Sequence, residues 1–439
     1  MKSAGWIVAA VAALAASGMA LAQPAPAPAR PEGSGPIVPA TRPGTAGTIA
    51  ITGATVYVRA DRKLEGATVV IRDGKVAEVG AGLAAPAGAT VIDGKGKVVA
   101  AGFVEAYTQL GLIEVDLESR GNDGRFGPVP ADIHAAYRAV DAYRGRTAGI
   151  PIARTGGVTS AVTGPTGGLV AGQAAFVSLA DGAVAPLRAP IAMNAALGPG
   201  VIASGSRGHA AERLRELLDD ADAYRKNRGA FDRNQSRRLA ANRLDLEALV
   251  PVLEGRLMLV VDAASEVDIL TALAIAAERR LKIAIAGGTE AWRVAPQLAA
   301  AKVPVIVDPT ENLPGDLAAL DVRDDNAALL ARAGVPVAIS TMANPSQMRT
   351  LRQLAGVAVG YGMPWDKALD AITAVPAQIY GLRDRGTLER GAAADVVVWS
   401  GDPLEMASRP EVVIIGGVVQ SLETHQTRLL ERYRALPKR

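Results

Sequence analysis

From residue 257 to residue 374 the chain repeats one unit, a short apolar run followed by a helix-length stretch. Residues 257–261, 281–286, 303–307 and 335–339 read as strands. Residues 265–279, 290–301, 326–333, 345–359 and 365–374 read as helices, the first with apolar side chains at Val267, Leu270, Leu273, Ala274 and Ala277. Strands joined by helices pair in parallel, so the alternation predicts an α/β protein with a parallel sheet. Residues 158–163 add an earlier strand. At 439 residues there is length enough for the sheet to close into a (β/α)8 TIM-type barrel.

The flanks have a different texture. Residues 67–72 and 75–79 alternate apolar and polar side chains around Asp73-Gly74, a dipeptide suited to the positive φ angles of a two-residue hairpin. Residues 90–92 and 97–100 do so around Asp93-Gly94. Near the other end, 394–399 is a continuous apolar run, and 412–415 pairs naturally with 418–421 across Gly416-Gly417. Strand patches on both sides of a barrel predict a small composite β-sandwich domain, 49–100 with 386–424, around a barrel at 101–385. Residues 425–439 form a C-terminal tail or helix.

Ahead of this lies Lys2, an apolar run at 6–16, and Ala20-Leu21-Ala22 just before Gln23. That order predicts a signal peptide over 1–22, cleaved near Ala22/Gln23, and a periplasmic or secreted protein with no membrane contact after cleavage. The run is short for a membrane span, and a retained anchor is the alternative. Residues 23–48, rich in Pro and Ala, read as a linker. The chain has no cysteine, so an exported protein of this kind relies on its core, which a 49% hydrophobic composition allows. Removing Lys2 leaves 46 basic against 44 acidic side chains, from 47 and 44 in the whole chain. That near-balance gives no reason to expect nucleic acid as a partner.

The stretch Val91-Ile92-Asp93-Gly94-Lys95-Gly96-Lys97-Val98-Val99-Ala100-Ala101-Gly102-Phe103-Val104-Glu105-Ala106 resembles the way the amidohydrolase superfamily passes from its small sheet into barrel strand one. The run from Ala368-Leu369-Asp370-Ala371-Ile372-Thr373 through Pro376-Ala377, Gly386-Thr387-Leu388 and Ala394-Asp395-Val396-Val397-Val398-Trp399 to Gly401-Asp402-Pro403 resembles its exit. The resemblance covers residues 49–424 and is to imidazolonepropionase-like members, including exported ones. It implies hydrolysis of non-peptide carbon–nitrogen bonds by a metal-bound hydroxide, held by imidazoles and carboxylates at the C-terminal mouth of the barrel.

The ligands that the resemblance implies are missing. Its His-x-His pair after strand one corresponds to Tyr107-Thr108-Gln109, its histidine after strand five to Asp262, and its histidine after strand six to residues 287–289. After strand eight, Ile339-Ser340-Thr341 is followed by Met342 where the catalytic aspartate is expected. A neutral phenol and an amide do not replace imidazoles. The chain's three histidines, His134, His209 and His425, stand in no metal-binding spacing. The expectation is a scaffold with no metal and no cofactor.

Polar side chains expected to line the mouth as a small-molecule site are Tyr107, Gln109, Asp262, Thr289, Glu290, Asp308, Thr341 and Asn344. Glu290 also suits the opening of a helix, and Asp308, ahead of Pro309, suits a turn. Metal-free catalysis would fall to Asp262 and Asp308 as base and acid. The glycine-rich stretch 164–173 reads as a tight connection, since it lacks the ending of a nucleotide-binding loop. Three roles remain open: a binding or structural subunit, as a homo-oligomer or beside an active amidohydrolase relative; an active hydrolase using residual carboxylates or an atypical metal site; and a free-standing solute binder.

Overall fold

The computed structural model describes residues 47–434 apart from 116, 127–132, 203–204, 234, 236, 312 and 315–319. The expected signal peptide, residues 23–46 of the expected linker, and 435–439 lie outside the described residues. Among the described residues no helix is long and apolar enough to cross a membrane.

The chain opens with β1 (Ile49–Arg59), β2 (Arg62–Arg72), β3 (Lys75–Ala81), β4 (Thr90–Asp93) and β5 (Val98–Ala101). The barrel strands follow: β6 (Phe103–Thr108), β7 (Val158–Thr163), β8 (Val170–Ser178), β9 (Arg188–Ala196), β10 (Met258–Ala263), β11 (Ile283–Gly287), β12 (Val305–Val307) and β13 (Val337–Ile339). The chain then returns with β14 (Val396–Trp399), β15 (Pro410–Ile415) and β16 (Val418–Val419).

Strands from both flanks join in one continuous sheet, β16-β15-β14-β5-β1-β2-β3 with β4 also on β1, in place of the two sheets of the expected sandwich. Two of its turns follow the expected chemistry. Asp73 and Gly74 both have positive φ and link β2 to β3, and Gly416 and Gly417 do the same between β15 and β16. Asp93-Gly94 does not make a hairpin. The strands on either side of it both lie parallel to β1, one after the other. The alternation in β14 and β15 assigns each face: Val396, Val398, Val412 and Ile414 line the sheet's own core, while Val397, Trp399, Val413 and Ile415 join the barrel's main apolar cluster.

The second sheet runs β6 to β13 in sequence order. Seven strands are parallel, and β8 runs antiparallel to both of its neighbours. This corrects the reading of 164–173 as a connection only, because Val170–Gln173 already belong to β8. The link from β7 is too short for a crossover helix, and Gly167 and Gly168, both at positive φ, turn the chain straight back. No helix lies between β7 and β8 or between β8 and β9, whereas helices Ala139–Ala142 and Gly149–Arg154 precede β7 and a helix follows each strand from β9 to β13. The open edge between β6 and β13 is bridged by residues 371–372: Val104 donates its N–H to Ile372 O and Ile339 to Ala371 O.

Helix Glu266–Arg279 starts where expected, capped by Ser265, but with another face inward. It buries Ile269, Ala272, Ile275 and Ala276, leaving Val267 and Leu270 exposed. Apolar residues run around most of this helix, so the 3.6 period alone assigns no phase. Inside the barrel, Val104, Val162, Phe176, Val260, Ile306 and Ala338 pack with Ile379 and Tyr380 from beyond β13.

Candidate functional site

Tyr107, the last residue but one of β6, has only 4% of its surface exposed. Burial, then the nearby Asp262 charge, holds its phenol well above the usual tyrosine range, so the group stays neutral. Asp262, near the end of β10, is half-buried, and burial pushes its carboxyl up to about 6. Among the described residues no donor reaches that carboxylate. Gly287, at the end of the neighbouring β11, leaves it room, since a Cβ there would lie 3.2 Å from Asp262 Oδ1. With φ at +82°, position 287 also favours glycine for its own backbone.

Asp308 follows β12. Its Oδ1 accepts the N–H and the hydroxyl of Thr310, at 2.8 and 2.5 Å, which makes the turn that its place before Pro309 suggested. Glu311, exposed on one side, is pushed up to about 7 by desolvation and by the charges of Asp308 and Asp262. Both expected carboxylates thus act on a third, which the sequence reading passed over because Pro309-Thr310-Glu311 looks like an ordinary turn.

The other expected mouth residues make hydrogen bonds within the protein. Gln109 is fully buried and donates through Nε2 to Gly124 O and Thr166 Oγ1. Thr289 donates to Ala264 O. Glu290 opens the following helix as its N-cap residue, ahead of Ala291–Val294, but its side chain does not cap it; the carboxylate accepts the N–H of Glu266, at the start of the preceding helix, and that of Asp321. Asn344 is exposed, but its Oδ1 is held by Ser346 N–H and Oγ.

Thr341 belongs to a cluster centred on Glu105, the other group that was missed. Glu105 is fully buried on β6, and its carboxylate accepts the hydroxyls of Ser340 and Thr341 and the N–H groups of Thr341 and Tyr107. Burial outweighs these bonds and raises its pKa to about 7. Beyond the cluster, Met342 and Ala343 are non-glycine residues at φ 45° and 60°. With Asn344 and Arg125 they help to line a cavity of about 430 Å³ beside the end of β6.

The histidines lie elsewhere. His134 stacks on Phe126, His209 is in the first turn of helix Arg207–Lys226, and His425 begins helix His425–Arg434.

A model of the amidohydrolase family matches residues 293–420. Amidohydrolase tasK of Hapsidospora irregularis is 41% identical over 61 residues, which are 14% of this chain and 6% of that protein. Imidazolonepropionase of Ruegeria pomeroyi is 37% identical over 102 residues, 22% of this chain and 25% of that protein. The chain therefore matches a quarter or less of these curated relatives' length. The structure of an amidohydrolase from Thermotoga maritima superposes over 86% of this chain and all of its own, at 28% identity and a TM-score of 0.77. The chain belongs to the amidohydrolase superfamily.

In this amidohydrolase-superfamily chain the residues at the strand ends do not fit a histidine-built metal centre. Tyr107 is held neutral, the Gln109 amide is spent on two loops, and the Thr341 hydroxyl is spent on Glu105. The carboxyls that remain are Asp262, Asp308 and Glu311. Among the described residues no three His, Cys, Asp or Glu side chains are placed to hold an ion together. What the arrangement supplies is a neutral phenol beside a carboxylate with open acceptor positions.

Proposed function

We propose that this superfamily of carbon–nitrogen bond hydrolases has here an exported member without a metal centre, which binds a small molecule at the barrel mouth and serves as a binding or structural subunit. One observation carries the reading: of the groups at the strand ends, Asp262 is half-buried and has no donor among the described residues, while Gln109, Thr289, Glu290 and Thr341 are already bonded inside the protein. A half-buried carboxylate without a donor favours a ligand that brings one, such as an amine, an amide or a hydroxyl. Such a protein would act alone as a solute binder, as a homo-oligomer, or beside an intact relative.

Metal content of the protein, purified without a chelating tag and read by elemental mass spectrometry, tests this. The expected value is close to zero. A near-stoichiometric transition metal that disappears in Asp262→Ala would overturn the reading.

A second reading has support in the two displaced carboxyls. Asp262 at about 6 and Glu311 at about 7 would serve as base and acid near neutral pH without a metal. On that reading the protein turns over a carbon–nitrogen substrate, and Asp262→Asn removes the turnover while the fold survives.

A further inference from the structure

Helix Glu266–Arg279, between β10 and β11, turns an uncharged face to solvent. Val267 and Leu270 are 60% and 38% exposed, and Ala274 and Ala277 are exposed further along. Thr271, beside them, folds its hydroxyl back on Val267 O at 2.8 Å. The spacing 267, 270, 274, 277 draws one stripe along the length of the helix. The neighbouring helix Arg207–Lys226, joined to it by the Arg215–Glu278 ion pair, exposes Glu212, Glu216, Asp219, Arg225 and Lys226 instead. An apolar stripe on an outward face, rimmed by polar groups, marks a contact surface.

The order of side chains within the stripe says what fits it. Its bulky members, Val267 and Leu270, lie in the N-terminal half, and its small ones, Ala274 and Ala277, in the C-terminal half. A second copy of the helix laid antiparallel sets Val267 opposite Ala277 and Leu270 opposite Ala274, with both pairs centred on residue 272. Each bulky side chain then meets the space left by an alanine. A parallel copy would set Leu270 on Leu270 and leave a gap between alanines.

The charges agree with the antiparallel arrangement. Glu266 is the first residue of the helix and Arg280 its C-cap, and Arg280 makes no ion pair among the described residues. Antiparallel copies bring the end that carries Glu266 to the end that carries Arg280 at both limits of the contact, and they oppose the helix dipoles favourably. One helix pair buries less than the roughly 1,200–2,000 Å² of a stable interface. The next helix, Ala295–Ala301, extends the uncharged surface with exposed Pro296, Gln297, Ala300 and Ala301.

We propose that this face is a two-fold dimer interface whose partner is a second copy of this chain, with the two Glu266–Arg279 helices packed antiparallel. A two-fold contact repeats one patch on both subunits, so the patch has to complement itself, and the bulky-to-small order of the stripe does so. The interface lies on the barrel's outer wall. It uses none of Tyr107, Asp262, Asp308 or Glu311, so it stands whether or not the mouth binds a small molecule.

Sedimentation velocity of the purified protein across a wide concentration range tests the interface. The expected species at tens of micromolar is a dimer. Leu270→Glu and, separately, Ala274→Glu should each weaken it roughly thirtyfold or more, as loss of a central contact does, with thermal unfolding showing that the fold is kept. Because the chain has no cysteine, single cysteines report the direction of packing. Thr271→Cys, one residue from the centre, places the two thiols about 3 Å apart along the helix axis and should cross-link on oxidation, whereas Ala277→Cys places them about 15 Å apart and should not. A monomer at every concentration would overturn the proposal, as would a dimer that survives both glutamate variants. Cross-linking through Ala277→Cys would show a parallel pair and equally end it.

Discussion

Glu105 and Asp262 are both carboxylates on barrel strands, and burial raises both, to about 7 and about 6. Around Glu105 two hydroxyls and two backbone N–H groups converge, so its place between β6 and the residues after β13 is that of a fastening. Around Asp262 the described residues provide no donor, and a glycine faces it. Two groups with similar titration therefore have opposite standing. A displaced pKa marks burial, and only the accounting of partners separates a structural carboxylate from one left available to a ligand.

The largest expected effect breaks the fastened side. Glu105→Ala strips the acceptor from four donors at once and should cost about 3 kcal/mol or more in denaturant unfolding, whereas Glu105→Gln should recover part of that loss. If Glu105→Ala unfolds like the parent protein, the two carboxylates do not differ in the way their partners suggest.

The next effect has the opposite sign and sharpens the other side. Asp262 has a folded pKa raised above its unfolded value, so its contribution is fully present below about pH 4 and is lost as pH rises through about 6. At pH 8 the unpartnered charge is a burden, and Asp262→Asn should raise stability there by about 1–2 kcal/mol relative to its effect at pH 4, a figure reduced for its partial exposure. Melting curves of both proteins from pH 4 to pH 8 measure it. Parallel curves would show that Asp262 has a partner after all.

The smallest effect lies next to the fastening. Ala343 sits at φ 60° while its N–H bonds Tyr107 O, so Ala343→Gly should relieve strain and raise stability by less than about 1 kcal/mol in thermal unfolding. A clear loss would mean that the methyl group packs usefully against the cavity beside it.

Much of the scaffold was legible because its signals are local. Asp73-Gly74 and Gly416-Gly417 specify their turns within two residues, and Ser265 caps its helix by accepting the N–H of Asp268, three residues on. The missing histidines were equally plain, because a ligand set is a matter of residue type. The reversal of β8 was less so. Gly167 and Gly168 signalled a turn, but a turn does not say whether the chain continues across the sheet or back along it.

The candidate site divides along the same line. Sequence placed Tyr107, Gln109, Asp262 and Thr341 near strand ends, and nothing in it told the engaged from the available. Glu105 lay within the run that carried the family resemblance, yet its partner Ser340 is 235 residues away. Arg154 and Gln420 are 266 residues apart, and the hydrogen bond between them has no trace in either segment alone. By itself the sequence determined the strand–helix order, the tight turns and the absence of a histidine set, since these depend on near neighbours and on composition. Only the tertiary structure decided which polar groups are satisfied, because hydrogen-bond partners across a barrel are chosen by distance in space, and that distance bears no fixed relation to distance along the chain.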